Sequence, residues 1–123
     1  MAKILVIDDE KPTLSMFKLF LTAYGYEVII AENGEEGLAL FKENLPEIVF
    51  TDIRMPGIDG LEVIRRLRRS PQFAGLAVIA LTARAADEDL RDCRDAGADA
   101  CVVKPVDPQA LKDALDTFLA DDA

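Results

Sequence analysis

The chain has 123 residues, half of them apolar and 30% charged, with 23 acidic against 14 basic side chains and a formal charge of -9. That length makes one domain with a single core, and the acidic balance argues against nucleic acid as a partner, because phosphate backbones are met by basic faces. With no histidine, the chain cannot carry a phosphohistidine, use an imidazole base or build a typical zinc site.

Apolar runs at residues 3–7, 27–31, 47–51, 76–81 and 100–103 predict strands. Four are near-continuous, as strands covered on both faces are; Val28-Ile29-Ile30 is weaker and suits an edge. Helical spacing fills the gaps. Residues 11–24 carry Thr13, Met16, Phe17, Phe20 and Tyr24 at three- and four-residue steps, followed by Gly25 at a helix-end position. Residues 35–44 turn Leu38, Leu40 and Phe41 inward before Pro46 blocks continuation. Residues 60–69 set Leu61, Ile64 and Leu67 against a basic face of Arg65, Arg66, Arg68 and Arg69. Residues 87–96 carry Leu90 and Cys93, then Gly97. Residues 108–120 carry Leu111, Leu115, Phe118 and Leu119, with Pro108 in the first turn. Five βα units joined by right-handed crossovers give an α/β, doubly wound parallel sheet with helices on both faces.

No apolar stretch approaches the roughly 18 residues of a membrane helix, and the four apolar residues after Lys3 are too few for a signal-peptide core. A cytoplasmic location is expected. Cys93 and Cys101 fit no metal spacing and no disulfide framework, and each reads as a small core hydrophobe.

The strands end in chemistry. Ile4–Ile7 runs into Asp8-Asp9, Ile48–Thr51 into Asp52, Val78–Leu81 into Thr82, and Cys101–Val103 into Lys104-Pro105. Ligands of open parallel sheets bind beyond the carboxyl ends of the strands. If the first and third strands are neighbours, three carboxylates converge there, with a hydroxyl and an amine. Such a cluster calls for a counter-charge, and oxygen ligands without imidazole or thiolate select magnesium, manganese or calcium over zinc.

Four motifs, Asp8-Asp9-Glu10, Asp52-Ile53-Arg54-Met55-Pro56-Gly57-Ile58-Asp59-Gly60, Thr82-Ala83 and Lys104-Pro105, resemble in order and spacing the receiver (CheY-like) domain of two-component response regulators, over essentially the whole chain. The resemblance implies a flavodoxin-like strand order 2-1-3-4-5. It implies that Asp52 is the phosphoacceptor. Asp9, Asp52 and the backbone carbonyl of Arg54 would hold Mg2+, for which Mn2+ or Ca2+ would substitute, and Asp8 would act through metal-bound water. Thr82 would hydrogen-bond the phosphoryl group, Lys104 would pair with it, and the Lys104–Pro105 bond would be cis. The phosphodonor would be a sensor histidine kinase, a histidine phosphotransfer protein or a small phosphodonor, and the output a changed contact face for a downstream protein. The protein would be a monomer or a weak phosphorylation-dependent dimer, and a regulatory domain rather than an enzyme. Residues 1–123 read as one receiver unit with no output domain, either stand-alone or cut from a longer regulator.

Several positions depart from the family pattern. Cys101 stands where the family has Tyr or Phe, which puts the usual aromatic readout in question. Arg54 and Arg84 lie two residues beyond Asp52 and Thr82, positions that border the phosphoryl group, and two arginines there would favour a long-lived phosphoform. Leu14 and Leu19 fall off the predicted inward stripe of the first helix, which suggests a docking patch for the partner's helices. Two other functions fit less well. A phosphohydrolase working through an aspartyl phosphate would want an acid two residues after Asp52, where Arg54 stands. A flavodoxin-like electron carrier would want a Ser/Thr/Gly-rich loop after the first strand, where this chain has Asp8-Asp9-Glu10-Lys11-Pro12.

Overall fold

The computed structural model describes residues 2–70, 75–83 and 87–119. Strands and helices alternate as β1 (Lys3–Ile7), α1 (Lys11–Ala23), β2 (Glu27–Ala31), α2 (Gly34–Asn44), β3 (Ile48–Asp52), α3 (Gly60–Arg69), β4 (Ala77–Thr82), α4 (Asp87–Ala96), β5 (Ala100–Val103) and α5 (Pro108–Leu119). All strand pairs are parallel, in the order β2-β1-β3-β4-β5. The expected elements are thus present within a residue or so at each described end. Gly25 takes a positive φ of 91° just past α1, and α2 stops at a left-handed Leu45 ahead of Pro46.

Alternation along the strands divides the core. Ile4, Val6, Ile48, Phe50, Ile79 and Leu81 face α1 and α5. Leu5, Ile7, Val49, Val78 and Ala80 face α2, α3 and α4. β1, β3 and β4 are buried almost throughout, whereas the edge strands β2 and β5 are only half-buried. The chain winds outward from β1 to β2, then returns to β3 and continues the other way. The point where winding reverses lies between β1 and β3, the place where open sheets gather ligands.

Two helix faces differ from the sequence expectation. In α1 the buried stripe is Leu14, Phe17 and Leu21; Thr13, Met16 and Phe20 flank it, and Tyr24 is exposed. The inward register is shifted because Phe17 packs on Phe50 of β3, ring centroids 5.2 Å apart, and Leu14 and Leu21 lie one turn to either side of it. Leu14 is 3% exposed, so it belongs to the core and not to a docking patch, whereas Leu19 is 77% exposed.

In α3 the four arginines do not form one basic face. Arg65, Arg66 and Arg69 pair with Glu62. Arg68 turns toward the neighbouring strand and loop. It donates to the carbonyls of Gly97 (2.8 Å) and Leu76 (3.0 Å) and to Asp99 Oδ2 (2.7 Å). Asp99 Oδ2 also accepts the backbone N–H of Val78. One guanidinium thus ties α3 to the start of β4 and to the α4–β5 turn, using the planar fork that lysine lacks.

Gly60 fixes the loop beyond β3. Its N–H donates to Ile53 O (3.1 Å), and a Cβ there would overlap the Asp52 carbonyl oxygen and lie 2.6 Å from Ile53 Cα. Both obstacles are backbone, so nothing flexible can yield. Asp59 then caps α3, its side chain accepting from Glu62 N at 2.9 Å. Gly60→Ala is expected to cost about 1–3 kcal/mol of stability, seen as a lower midpoint in denaturant unfolding; an unchanged midpoint would mean that the β3–α3 loop is not held as closely as described.

Candidate functional site

β1, β3, β4 and β5 deliver their last residues to one end of the sheet. Ile7 pairs with Thr51, and Asp52 with Leu81, so Asp8 and Asp52 lie side by side one step on. Asp52 is 6% exposed, Asp8 fully buried and Thr82 1% exposed. Thr82 pairs with Val103, and Lys104 N donates to Thr82 O at 2.7 Å, which brings Lys104 over the same edge. The Lys104–Pro105 peptide bond is cis.

The Lys104 ammonium lies at the centre. Its Nζ is 2.7 Å from Asp8 Oδ2, 2.8 Å from Glu10 Oε1 and 3.1 Å from Asp52 Oδ2. The last two have hydrogen-bond geometry. The Asp8 contact is close in distance but poorly aligned, and Asp8 Oδ2 is a buried oxygen without a hydrogen bond. Burial works against the ammonium, yet Asp8, Glu10 and Asp52 outweigh it and hold Lys104 above the ordinary lysine range. Hydrogen bonding to Lys104 holds Glu10 below the usual carboxylate range. Asp52 is raised: burial contributes most, the Asp8 charge adds to it, and Lys104 and the Arg54 N–H only partly oppose them.

Asp8, Glu10 and Asp52 each place a carboxylate oxygen within 4.8 Å of the others. Asp9 is exposed and outside that group. The Asx turn after β1 accounts for this: Asp8 Oδ1 accepts from Glu10 N at 2.9 Å. The turn swings Glu10 back over Asp8 and leaves Asp9 outward. Sequence reasoning took Glu10 only as part of a motif. An oxygen-only cluster, whose buried Asp8 oxygen is ion-paired with Lys104 but makes no hydrogen bond, fits a hard divalent cation, which takes carboxylate, carbonyl and water ligands.

Around this centre, Arg54 N approaches Asp52 Oδ1 at 3.3 Å, setting the Arg54 peptide beside the carboxylate. The Arg54 side chain reaches instead to α4, where Nη2 meets Asp89 Oδ1 at 3.2 Å. A cleft of about 520 Å3 between the β3–α3 loop and α4 runs beneath that bridge, lined by Met55, Pro56, Leu61 and Asp92 among others. No sequence signal pointed to Asp89, because the pairing joins residues 35 apart. Ala83 is exposed beyond Thr82, and Arg84 lies outside the described residues. Cys101 is half-buried, with its sulfur 3.7 Å from that of Cys93. Among the described residues, no helix is long and apolar enough to cross a membrane.

Known proteins agree with this arrangement. Residues 4–116 match the model of the response regulator receiver domain. The chain is 37% identical over 123 residues to the virulence sensor protein BvgS of Bordetella pertussis, covering 96% of this chain and 10% of that protein. It is 42% identical over 111 residues to the transcriptional regulatory protein AfsQ1 of Streptomyces coelicolor, covering 90% of this chain and 48% of that one. Against the protein PilH of Pseudomonas aeruginosa the identity is 32% over 120 residues, with 98% and 99% covered. The chain thus spans about a tenth of one relative, about half of another and nearly all of a third. Its fold superposes on the chemotaxis protein CheY4 of Vibrio cholerae with a TM-score of 0.91 at 30% identity, covering 96% of this chain and 98% of that one. The motifs, the sheet order and the acidic pocket crossed by a lysine agree with that match, and the chain belongs to the response regulator receiver domain family.

Proposed function

We propose that this chain is a phosphoacceptor switch that takes a phosphoryl group on Asp52 and changes its contacts with a protein target. One observation carries the reading: a buried aspartate at the winding reversal shares a single lysine with a second buried aspartate. Such an arrangement holds an anion-accepting centre ready inside a negative pocket.

In the proposed reaction an Asp52 carboxylate oxygen attacks phosphorus in line. The bond from phosphorus to a partner's imidazole, or to a small donor's leaving oxygen, breaks as the new P–O bond forms. Lys104 turns from Asp52 to the incoming phosphoryl oxygens, and the Thr82 hydroxyl donates to them. Mg2+, or Mn2+ or Ca2+ in its place, would supply the further positive charge that both the carboxylates and the phosphoryl oxygens require. Asp8 and Asp52 would hold that ion, with Asp9 and the Arg54 carbonyl completing the set. Glu10, already committed to Lys104, then serves to place the ammonium. The product carries about -1.5 to -2 charges, which draws Thr82 and the segment after it inward and alters the α4, β5 and α5 face. With Cys101 in β5, that face works without an aromatic lever. The donor is a sensor histidine kinase or a histidine phosphotransfer protein, the setting cytoplasmic, and the unit a single receiver, monomeric or weakly dimeric. A phosphohydrolase lacks support: the position an acid would need holds Arg54, engaged with Asp89.

Three outcomes are expected. Incubation with acetyl phosphate and Mg2+ should add one phosphoryl group to the intact mass of the wild type and none to Asp52→Asn; equal labelling of both would reject Asp52 as the acceptor. Asp9→Asn should weaken Mg2+ binding by about tenfold or more, some 1.4 kcal/mol, whereas Glu10→Gln should change it much less, as titration calorimetry can read; the reverse order would make Glu10 the ligand. The third concerns pH. The carboxyl of Asp52 is raised in the fold, so its stabilising contribution is complete below the unfolded value of about 3.9 and is lost as pH rises through the folded value. At pH 7 without metal, Asp52→Asn should therefore melt a few degrees above the wild type, and the gap should close toward pH 3. A variant that melts lower at neutral pH would show that Lys104 more than offsets the burial of Asp52.

A further inference from the structure

Two neighbouring thiols take no part in the proposed phosphoryl site. Cys93 on α4 and Cys101 on β5 are both free thiols, and their sulfurs lie 3.7 Å apart. Cys93 is 1% exposed and Cys101 half-buried. A cleft of about 370 Å3, walled by Leu90, Arg94, Ala98 and Asp99, opens onto both. The two cysteines stand eight positions apart in the chain, on different secondary elements. We propose that Cys93 and Cys101 form a dithiol site that small peroxides oxidise to an intramolecular disulfide, fastening α4 to β5.

The geometry suits that bond. A disulfide needs its sulfurs about 2.05 Å apart, so the pair, now 3.7 Å apart, must close by roughly 1.6 Å to bond. The cleft admits a molecule the size of hydrogen peroxide to Cys101, the more accessible of the two. In the first step the Cys101 thiolate attacks one peroxide oxygen, the O–O bond breaks, and the departing hydroxide takes a proton to become water. Cys101 is left as a sulfenic acid. In the second step the sulfur of Cys93 attacks that of Cys101; the sulfenic hydroxyl leaves with the Cys93 proton as a second water. Two thiols have lost two electrons and two protons, and one peroxide has become two waters. Burial raises both thiols, Cys93 to about 12 with the help of neighbouring Cys101. Burial thus works against the thiolate of either cysteine, and the oxidation is expected to need excess oxidant.

The position of the pair gives the bond a consequence. Cys101 is paired in the sheet with Ala80, two residues before Thr82. Four residues before Cys93 on α4 is Asp89, which holds Arg54. A covalent tie at Cys93 would anchor the helix that carries this bridge. The oxidation itself stands whether or not Asp52 accepts phosphate.

The test uses the full chain. Wild type is treated with excess hydrogen peroxide, alkylated and digested with trypsin without reduction. The expected product is peptide 92–94 linked to peptide 95–112, together with loss of both alkylatable thiols and their return on treatment with dithiothreitol. Cys93→Ser and Cys101→Ser should each abolish the linked peptide while keeping one thiol. The proposal fails if both thiols stay alkylatable in the wild type, if the link appears only between two chains, or if Cys101 proceeds to sulfinic acid with Cys93 still free. Because the decisive reading is made on the wild type, a variant that folds poorly does not obscure it.

Discussion

The ammonium of Lys104 holds the site together. Two buried carboxylates side by side at the end of a parallel sheet repel each other and lose their water, and a buried charge without a partner costs about 3–5 kcal/mol. Lys104 meets Asp8, Glu10 and Asp52 at once. It remains incomplete compensation: Asp52 is still raised, and an oxygen of Asp8 makes no hydrogen bond. A pocket with unmet demand for positive charge is one that can take up a cation and, with it, an anionic group. The residual strain is the kind of stability cost that binding sites retain.

The rest of the fold serves to hold that cluster still. The strands that carry Asp8, Asp52 and Thr82 are buried on both faces, so their ends cannot drift. Gly60 packs its backbone on the peptide after Asp52, which removes slack from the loop where Arg54 sits. Arg68 does the same on the far side, joining α3, β4 and the turn before β5 through three hydrogen bonds. The rigidity lies beneath and behind the site. The groups that could move lie at its rim: the Arg54–Asp89 bridge is largely exposed on the arginine side, and β5 is an edge strand.

At that rim stands Cys101, where the family resemblance led to the expectation of an aromatic side chain. A small thiol at position 101 gives up the bulk of an aromatic side chain and lies in contact with the sulfur of a second thiol on α4. The edge thereby holds two adjacent free thiols that the proposed phosphoryl chemistry does not use. The cysteine pair sets α4 against β5, and the arginine bridge ties α4 to the loop after β3.

The sequence by itself determined the alternation of strands and helices, because strands covered on both faces need unbroken apolar runs and helices need three- and four-residue spacing, and both patterns are local. It also determined which strands end in acid, hydroxyl or amine, and the family motifs supplied the strand order that brings them together. Only the tertiary structure decided the rest. Leu14 is core because Phe17 seats against Phe50, a choice of helix rotation that the broad apolar face of α1 left open. Glu10, not Asp9, joins Asp8 and Asp52, because an Asx turn reverses the chain after β1. Arg68 faces inward and Arg54 reaches Asp89, because their partners come from segments about thirty residues away. The two cysteines meet because α4 packs beside β5, and no spacing rule along a chain encodes the separation of two sulfurs on different elements.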